Sequence, residues 1–182
     1  AQRMQEAVPR VVAHWVVGAT AVWQGHYATA REHLEQGLAQ WDWPQYQGQQ
    51  TRYPVVPGVQ CHAYLAVLLW LQGYPDRALA HAQSALTLAH DVAHPYSLAQ
   101  ACAAVGLCYL LQGALPQAVP VFERGLAVSE TAHLLPSMRA LHGRLGAAYA
   151  LAARIDEALP LLERALEQTV AMQQPINYAP YA

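Results

Sequence analysis

The sequence predicts an all-α fold, a solenoid of about four helix-turn-helix repeats with a period near 40 residues. Three observations predict it: a phrase that recurs along the chain, a composition rich in helix-forming residues, and regularly placed glycines and prolines. Repeats of this length bury their apolar faces only by stacking on their neighbours. A solenoid acts through an extended surface, so binding is the expected class of function.

The recurring phrase begins at a small anchor residue, followed by an apolar residue four positions later and a leucine eight positions later. The anchors are spaced 48, 40 and 40 residues apart: Ala30, Ala78, Ala118 and Ala158. Twelve positions before each anchor, another small residue predicts close contact between two helices: Gly18, Ala66, Gly106 and Gly146. Five positions before each anchor, a glycine or alanine predicts a helix end: Gly25, Gly73, Gly113 and Ala153.

Each repeat therefore has a first helix, A, and a second helix, B. The A helices open with prolines, whose missing N–H is harmless in a first turn, and are predicted near 9–24, 57–72, 95–112 and 136–152. The B helices are predicted near 27–41, 75–90, 115–132 and 155–173. The repeats then cover 9–41, 57–90, 95–132 and 136–173 of a single domain, 1–182. Pro175 indicates a further helix over 175–182, and together with the first residue, Ala1, it favours a fragment of a larger protein.

Two segments depart from this regular pattern. The first spacing contains a connector, 41–54, whose prolines and glycine predict irregular structure and whose aromatic residues predict packing on the array, either at its surface or as a lid over a groove. Pro120 and Pro160 fall two residues after their anchors, where proline removes a backbone donor and bends a helix. The alternative is that these two B helices begin later.

Composition excludes several functions. The 182 residues are 54% hydrophobic and 12% charged, enough apolar chain for a continuous core. Net charge is −2 and the basic residues are scattered singly, so direct nucleic-acid binding is not expected. The longest apolar run, Ala63 to Leu71, is too short to span a membrane, and no signal segment opens the chain. These features predict a cytoplasmic protein without a membrane partner.

Small residues at the anchor and twelve positions before it, with a turn between, resemble the tetratricopeptide repeat. Tyr109 and Tyr149 match the aromatic position of that family, whereas Ala21 and Leu69 occupy it in the first two repeats. The resemblance covers all four repeats and implies a right-handed superhelix with the A helices on its concave side. Because the period exceeds the usual 34 residues of the family, its standard pitch is not assumed.

The long period and the phrase from Gly73 to Ala78 resemble the sensor arms of bacterial signal-transduction ATPases, including cyclase-associated ATPases and regulators similar to the maltose-regulon activator. That resemblance implies a bacterial signalling or transcriptional regulator-like protein in which the superhelix receives a partner. The partner would be a protein or peptide segment, or other domains of the full-length chain. Two alternatives stay open, a small-molecule inducer sensor and a structural homodimerisation arm. The fragment lacks a Gly-rich phosphate loop, so ATPase chemistry is not expected in it.

The resemblance also places a set of A-helix residues on the concave groove. These candidate binding residues are Trp15, Ala19, Trp23, Gln60, Ala63, Tyr64, Val67, Trp70, Gln100, Leu107 and Arg144. All five tryptophans lie in the first two repeats, which favours a binding hot spot there. The alternative is that the A helices are buried on both sides as ordinary core.

Histidines and cysteines provide no convincing metal or catalytic site. His14, His62 and His142 occupy equivalent places in the first, second and fourth repeats, with Cys102 in the third. Successive places are about 8–10 Å apart, too far to share an ion. His90 and His94 are four residues apart beside Asp91, but Pro95 ends the helix they would need. The sequence therefore predicts no metal, no cofactor and no enzyme activity.

Cysteine spacing favours buried, reduced thiols. Cys61, Cys102 and Cys108 lie inside A helices, are odd in number and lack the spacing of a metal-binding pair. No nucleophile elbow accompanies them, because a regular helical array has no strained turns of that kind.

Overall fold

The computed structural model describes residues 7–47 and 55–172, and these residues form nine α-helices without a strand. The A helices of the four repeats are α1 (Ala7–Trp23), α4 (Pro57–Leu71), α6 (Pro95–Leu111) and α8 (Leu135–Leu151). The B helices are α2 (Tyr27–Ala39), α5 (Pro75–Val92), α7 (Leu115–Thr131) and α9 (Ile155–Met172). A short helix, α3 (Trp43–Gln47), follows the first repeat. The predicted all-α solenoid of four helical pairs is confirmed, and 175–182 lies outside the described residues.

The helices form two layers. Each A helix packs on its own B helix and on the A helix of the next repeat, whereas the B helices of successive repeats make almost no contact with one another. Elements on the inside of a curved array are closer together than those on the outside. The A helices therefore form the inner layer, as the resemblance implied.

A common turn joins A to B in every repeat. Gly25, Gly73 and Gly113 adopt the left-handed conformation that glycine permits, with φ between 74 and 82°. In each turn the amide of the next residue donates to a carbonyl five residues earlier, as Tyr74 N does to Leu69 O at 2.9 Å. Ala153 adopts the same conformation in the fourth repeat with φ 59°. The predicted helix ends are confirmed at all four turns.

In three of the four repeats a glycine on the A helix packs against a large side chain on the B helix. A Cβ atom added to Gly106 would lie 2.5 Å from Phe122, and one added to Gly18 would lie 2.6 Å from Leu34. In the second repeat both positions hold alanine, Ala66 on the A helix and Ala82 on the B helix, and both are buried. The contact between helices A and B is therefore filled by different side chains in different repeats.

The prolines lie within regular helices. Pro120 and Pro160 are each the sixth residue of their helices, α7 and α9, so these helices do not begin after the prolines. At the sixth position of a helix the missing N–H removes an intrahelical hydrogen bond. The alternative of a later helix start was wrong.

The connector after α2 is more regular than predicted, because α3 includes Pro44. Proline is compatible with the first turn of a helix, which explains why it does not break this one. Trp41 lies against Gly58, and Tyr46 is fully buried with its hydroxyl donating to Val55 O at 2.6 Å. The described part of the connector is therefore packed on the array. Residues 48–54, where a lid was the alternative, lie outside the described residues.

No helix in the described ranges has both the length and the apolar composition that a membrane span requires.

Candidate binding cleft

Side chains from all four A helices meet in one cleft on the inner layer. The cleft has a volume of about 110 Å³, and we call it the A-face cleft. Its lining comes from α1, α4, α6 and α8: Trp23, Gln60, Ala63, Tyr64, Val67, Gln100, Ala104, Leu107 and Arg144. Residues more than 120 positions apart in sequence are thus brought together by the stacking of the repeats.

Eight of the eleven candidate residues line this cleft, and Trp15, Ala19 and Trp70 do not. Trp15 packs on the core between α1, α2 and α4, Ala19 is buried, and Trp70 packs on the core cluster that includes α5 and α6. A helix rotates its faces by about 100° per residue, so a spacing rule transferred from shorter repeats misplaces residues at the edge of the groove.

The aromatic wall of the cleft is Trp23 and Tyr64. Trp23 is 73% exposed, an unusual exposure for a large aromatic side chain, whereas Tyr64 is half-buried. Together with Val67 and Leu107 they provide an apolar surface. Exposed aromatic groups beside a cleft are typical of contact sites for a partner.

Gln60 is the buried amide of the cleft. Only 3% of its surface is exposed, and its Nε2 has no hydrogen-bond partner among the described residues. A buried amide without a partner costs about 1–3 kcal/mol. Gln100, one repeat further along on α6, lines the same cleft. The two amides offer donors and acceptors to a bound molecule.

Arg144 is the cation of the cleft. Burial lowers the pKa of its guanidinium, and Tyr64 lies near enough to oppose this lowering. Two side-chain ion pairs of the described ranges, Arg31 with Glu35 and Arg154 with Glu157, do not involve Arg144. Arg144 makes no ion pair or side-chain hydrogen bond to any residue that the structure describes.

Charges are segregated between the two layers. The four A helices contain three arginines and no aspartate or glutamate: Arg10, Arg139 and Arg144. The four B helices contain four arginines against ten acidic residues. The inner layer is therefore cationic and the outer layer anionic. Sequence inspection missed this asymmetry because the basic residues are scattered along the chain. Counting charges separately for A and B helices would have found it.

The equivalent histidines of the A helices each have a partner on their own B helix. His14 Nδ1 lies 3.1 Å from His33 Nδ1, and His62 Nδ1 lies 3.0 Å from His81 Nδ1. His142 Nδ1 lies 3.4 Å from the side chain of Gln168. These pairs lie between helices A and B, away from the cleft.

The other candidate metal ligands face different neighbours. The Arg124 guanidinium donates to His90 Nε2 at 2.6 Å, while His94 caps α6 by accepting from Ser97 N at 3.3 Å. Within the described ranges, no three His, Cys, Asp or Glu side chains are grouped as a metal site requires. Burial raises the pKa of Cys61 to about 12 and of Cys102 to about 11, so both thiols are protonated.

Comparison with known proteins identifies the fold only. No family model matches the sequence, and none of the curated proteins matches it. Two solved structures are similar over most of the chain, aspartyl phosphate phosphatase F from Bacillus subtilis (TM-score 0.72, 18% identity) and a Rap protein complexed with competence and sporulation factor (TM-score 0.71, 19% identity). The alignments cover 92% and 94% of this chain but 43% and 45% of those proteins, so the chain spans less than half their length.

A third similar structure is a putative kinesin light chain from Podospora anserina with nearly identical tetratricopeptide-like repeats. Its TM-score is 0.59 at 20% identity, and the alignment covers 91% of this chain and 77% of that one. The helical pairs of the present chain thus form tetratricopeptide-like repeats. At these identities the likeness extends to the fold and no further.

Proposed function

We propose that this chain is a protein-interaction module that binds an extended segment of another protein, or of its own full-length chain, in the A-face cleft. One observation carries the proposal: Trp23, Gln60 and Arg144, from three different repeats, bring exposed apolar area, an amide Nε2 and a guanidinium to one place, and neither polar group has a partner among the described residues. A groove that crosses several repeats suits an elongated ligand.

Proteins of the same fold support this proposal. One similar structure is complexed with competence and sporulation factor, and another belongs to a putative kinesin light chain. The phrase from Gly73 to Ala78 adds the resemblance to bacterial sensor arms. We therefore place the module in a larger cytoplasmic signalling or regulatory protein, with no nucleic acid or membrane as its direct partner. It needs no cofactor and has no enzyme activity of its own.

The cleft volume favours a peptide over a small-molecule inducer. Pockets that enclose small ligands usually have volumes of about 300–1,000 Å³, well above the 110 Å³ of this cleft. A cleft of this volume holds a few side chains of a segment that continues beyond it. The small-molecule sensor is therefore the second candidate.

A homodimerisation arm is supported by a different feature. The outer face of α9 is a stripe of exposed apolar side chains: Ile155, Leu159, Leu162, Leu166 and Val170. A further repeat or a second copy of the chain would bury this stripe. This stripe lies on α9 and shares no residue with the lining of the cleft.

The test is selection of binders from a random peptide library, followed by fluorescence anisotropy with the selected peptides. Trp23→Ala and Tyr64→Ala should each weaken binding about tenfold or more, because large aromatic anchors dominate such contacts. Tyr74→Ala is the matched control, since Tyr74 is a half-exposed aromatic residue outside the cleft. Equal losses in all three variants, or none in the first two, would exclude the cleft as the binding site.

A further inference from the structure

We infer that the segment bound in the A-face cleft is acidic, and that an aspartate or glutamate side chain of the ligand pairs with Arg144. The inference rests on the proposed function, because it names the ligand chemistry of the same cleft. The juxtaposition of Arg144 with Gln60, Gln100 and Tyr64 carries it.

Arg144 is a partly buried cation with no anion beside it in the described chain. Removing a charge from water is costly, and buried charges in folded proteins are therefore nearly always paired. A guanidinium offers two parallel N–H donors, which match the two oxygens of a carboxylate. A ligand carboxylate would supply the missing partner without any rearrangement of the fold.

A second, independent observation points to a ligand at this place. The Gln60 Nε2 group is buried in the cleft wall and donates to nothing in the described chain. An amide donor beside a guanidinium adds a hydrogen bond to an acceptor, either the carboxylate or a backbone carbonyl of the same segment. Neither Arg144 nor Gln60 offers a counter-charge to a basic ligand.

The charge of the whole inner layer agrees with an acidic ligand. The A helices contribute three arginines and no acid, whereas the outer B helices carry ten acids against four arginines. This asymmetry attracts an acidic segment to the inner layer and repels it from the outer one. The exposed aromatic ring of Trp23 at the other side of the cleft indicates an apolar residue next to the acidic one.

The experiment compares two pools of N-acetylated, C-amidated octapeptides. The pools have the same randomised apolar and polar positions, and differ only in one fixed central residue, Glu or Gln. Capping removes terminal charges, so only the side chain differs. We expect the Glu pool to bind about tenfold to a hundredfold more tightly, the range of a charge-assisted hydrogen bond. Raising the salt concentration should reduce this preference.

Variants assign the preference to a residue. Arg144→Gln and Arg144→Met should abolish the difference between the pools, and Arg144→Met retains most of the side-chain packing in case the other variant fails to fold. Arg124→Gln, which removes an exposed arginine of the outer layer, should preserve the difference. Circular dichroism of each variant reports whether the helices are intact.

The outcomes distinguish this inference from the function on which it rests. If both pools bind equally and Trp23→Ala weakens both, the cleft binds peptides but the acidic preference is wrong. If neither pool binds the parent protein, or if both bind and Trp23→Ala weakens neither, the proposed function fails as well. A third pool, with Gln at the centre and a free carboxyl terminus, tests the other source of a carboxylate. If it alone depends on Arg144, the assignment to an acidic side chain is overturned.

Discussion

At the scale of single residues, the fold depends on close contacts between small and large side chains. Gly106 faces Phe122 so closely that no side chain fits between the helices. Gly143, one repeat later and three residues from the equivalent position, has only Ala165 within ordinary contact distance, at 3.8 Å. The two glycines lie in similar helices, but only Gly143 has room for a side chain. A methyl group added at each position should therefore change the free energy of unfolding in opposite directions.

We expect Gly106→Ala to lower the free energy of unfolding by about 1–3 kcal/mol, because the new Cβ would overpack the contact with Phe122. Gly143→Ala should raise it by up to about 1 kcal/mol, because alanine favours helix and meets no obstacle. Urea titrations followed by circular dichroism measure both changes. Two changes of the same sign would show that helix propensity, rather than packing, decides the outcome.

A histidine pair makes stability depend on pH. Burial, followed by the neighbouring His81, lowers the pKa of His62 from 6.5 to about 4. The pKa of His81 is also lowered, mainly by burial and then by Arg77, while Glu35 opposes and Arg31 adds to the effect. The folded state thus binds fewer protons than the unfolded state between about pH 6.5 and pH 4. The contribution of these histidines to the free energy of unfolding is fully present above this window and declines as pH falls through it.

The variant His62→Gln should therefore lose less stability than the parent when pH is lowered from 7 to 5. The measurement is the urea midpoint at both pH values. His26→Gln serves as the control, because His26 is exposed and makes no side-chain capping bond. Parallel pH dependence in His62→Gln and the parent would contradict the assignment.

At the scale of helices, local punctuation determines where each element begins and ends. Proline in the first turn and glycine after the last turn are compatible with only one placement of each helix. Pro116 occupies such a first-turn position in α7, whereas Pro120 lies four residues later in the same helix. The same residue type thus assists the helix at one position and opposes it at the other.

We expect Pro120→Ala to raise the free energy of unfolding by about 1–3 kcal/mol, because it restores an intrahelical N–H and removes a steric conflict. Pro116→Ala should change it by less than about 1 kcal/mol, because no hydrogen bond is missing there. Thermal unfolding of the two variants beside the parent makes the comparison. A destabilised Pro120→Ala would mean that the bend itself is required for packing on α8.

Helix positions could be predicted from the sequence because these signals are local. The A helix predicted at 136–152 is observed at Leu135–Leu151, and the others agree equally well apart from small shifts. The helix α3 was missed because Pro44 was interpreted as a breaker rather than as a first-turn residue. The binding role of the candidate residues stays a prediction, and eight of the eleven line the A-face cleft. Trp70 packs on the core instead, because the direction of its side chain depends on the rotation between repeats, which no local signal determines.

At the scale of the whole molecule, equivalent residues of different repeats have different surroundings. Leu126 and Leu166 are equivalent, 40 residues apart in α7 and α9. Leu126 is 8% exposed because α8 follows it, whereas Leu166 is 65% exposed. In a solenoid, residues at the contact between repeats are buried by the neighbouring repeat. Equivalent residues therefore need not contribute equally to stability.

Leu126→Ala should lower the free energy of unfolding by about 2–5 kcal/mol, the usual range for a buried leucine, whereas Leu166→Ala should lower it by less than about 1 kcal/mol. Denaturant unfolding of both variants in this 182-residue chain provides the comparison. A large loss in Leu166→Ala would indicate that another part of the chain or a second copy covers α9 in solution. Sedimentation at several concentrations would separate those two explanations.

The difference between the Ala66–Ala82 pair of the second repeat and the Gly106–Phe122 pair of the third has a consequence for how such arrays diversify. Recombination that joined the A helix of the second repeat to the B helix of the third would press Phe122 against a methyl group. The reciprocal product would leave a cavity between Gly106 and Ala82. A crossover between repeats avoids both faults. The helical pair is therefore the unit that recombination can exchange without a packing fault. We expect recombination boundaries between a B helix and the A helix that follows it.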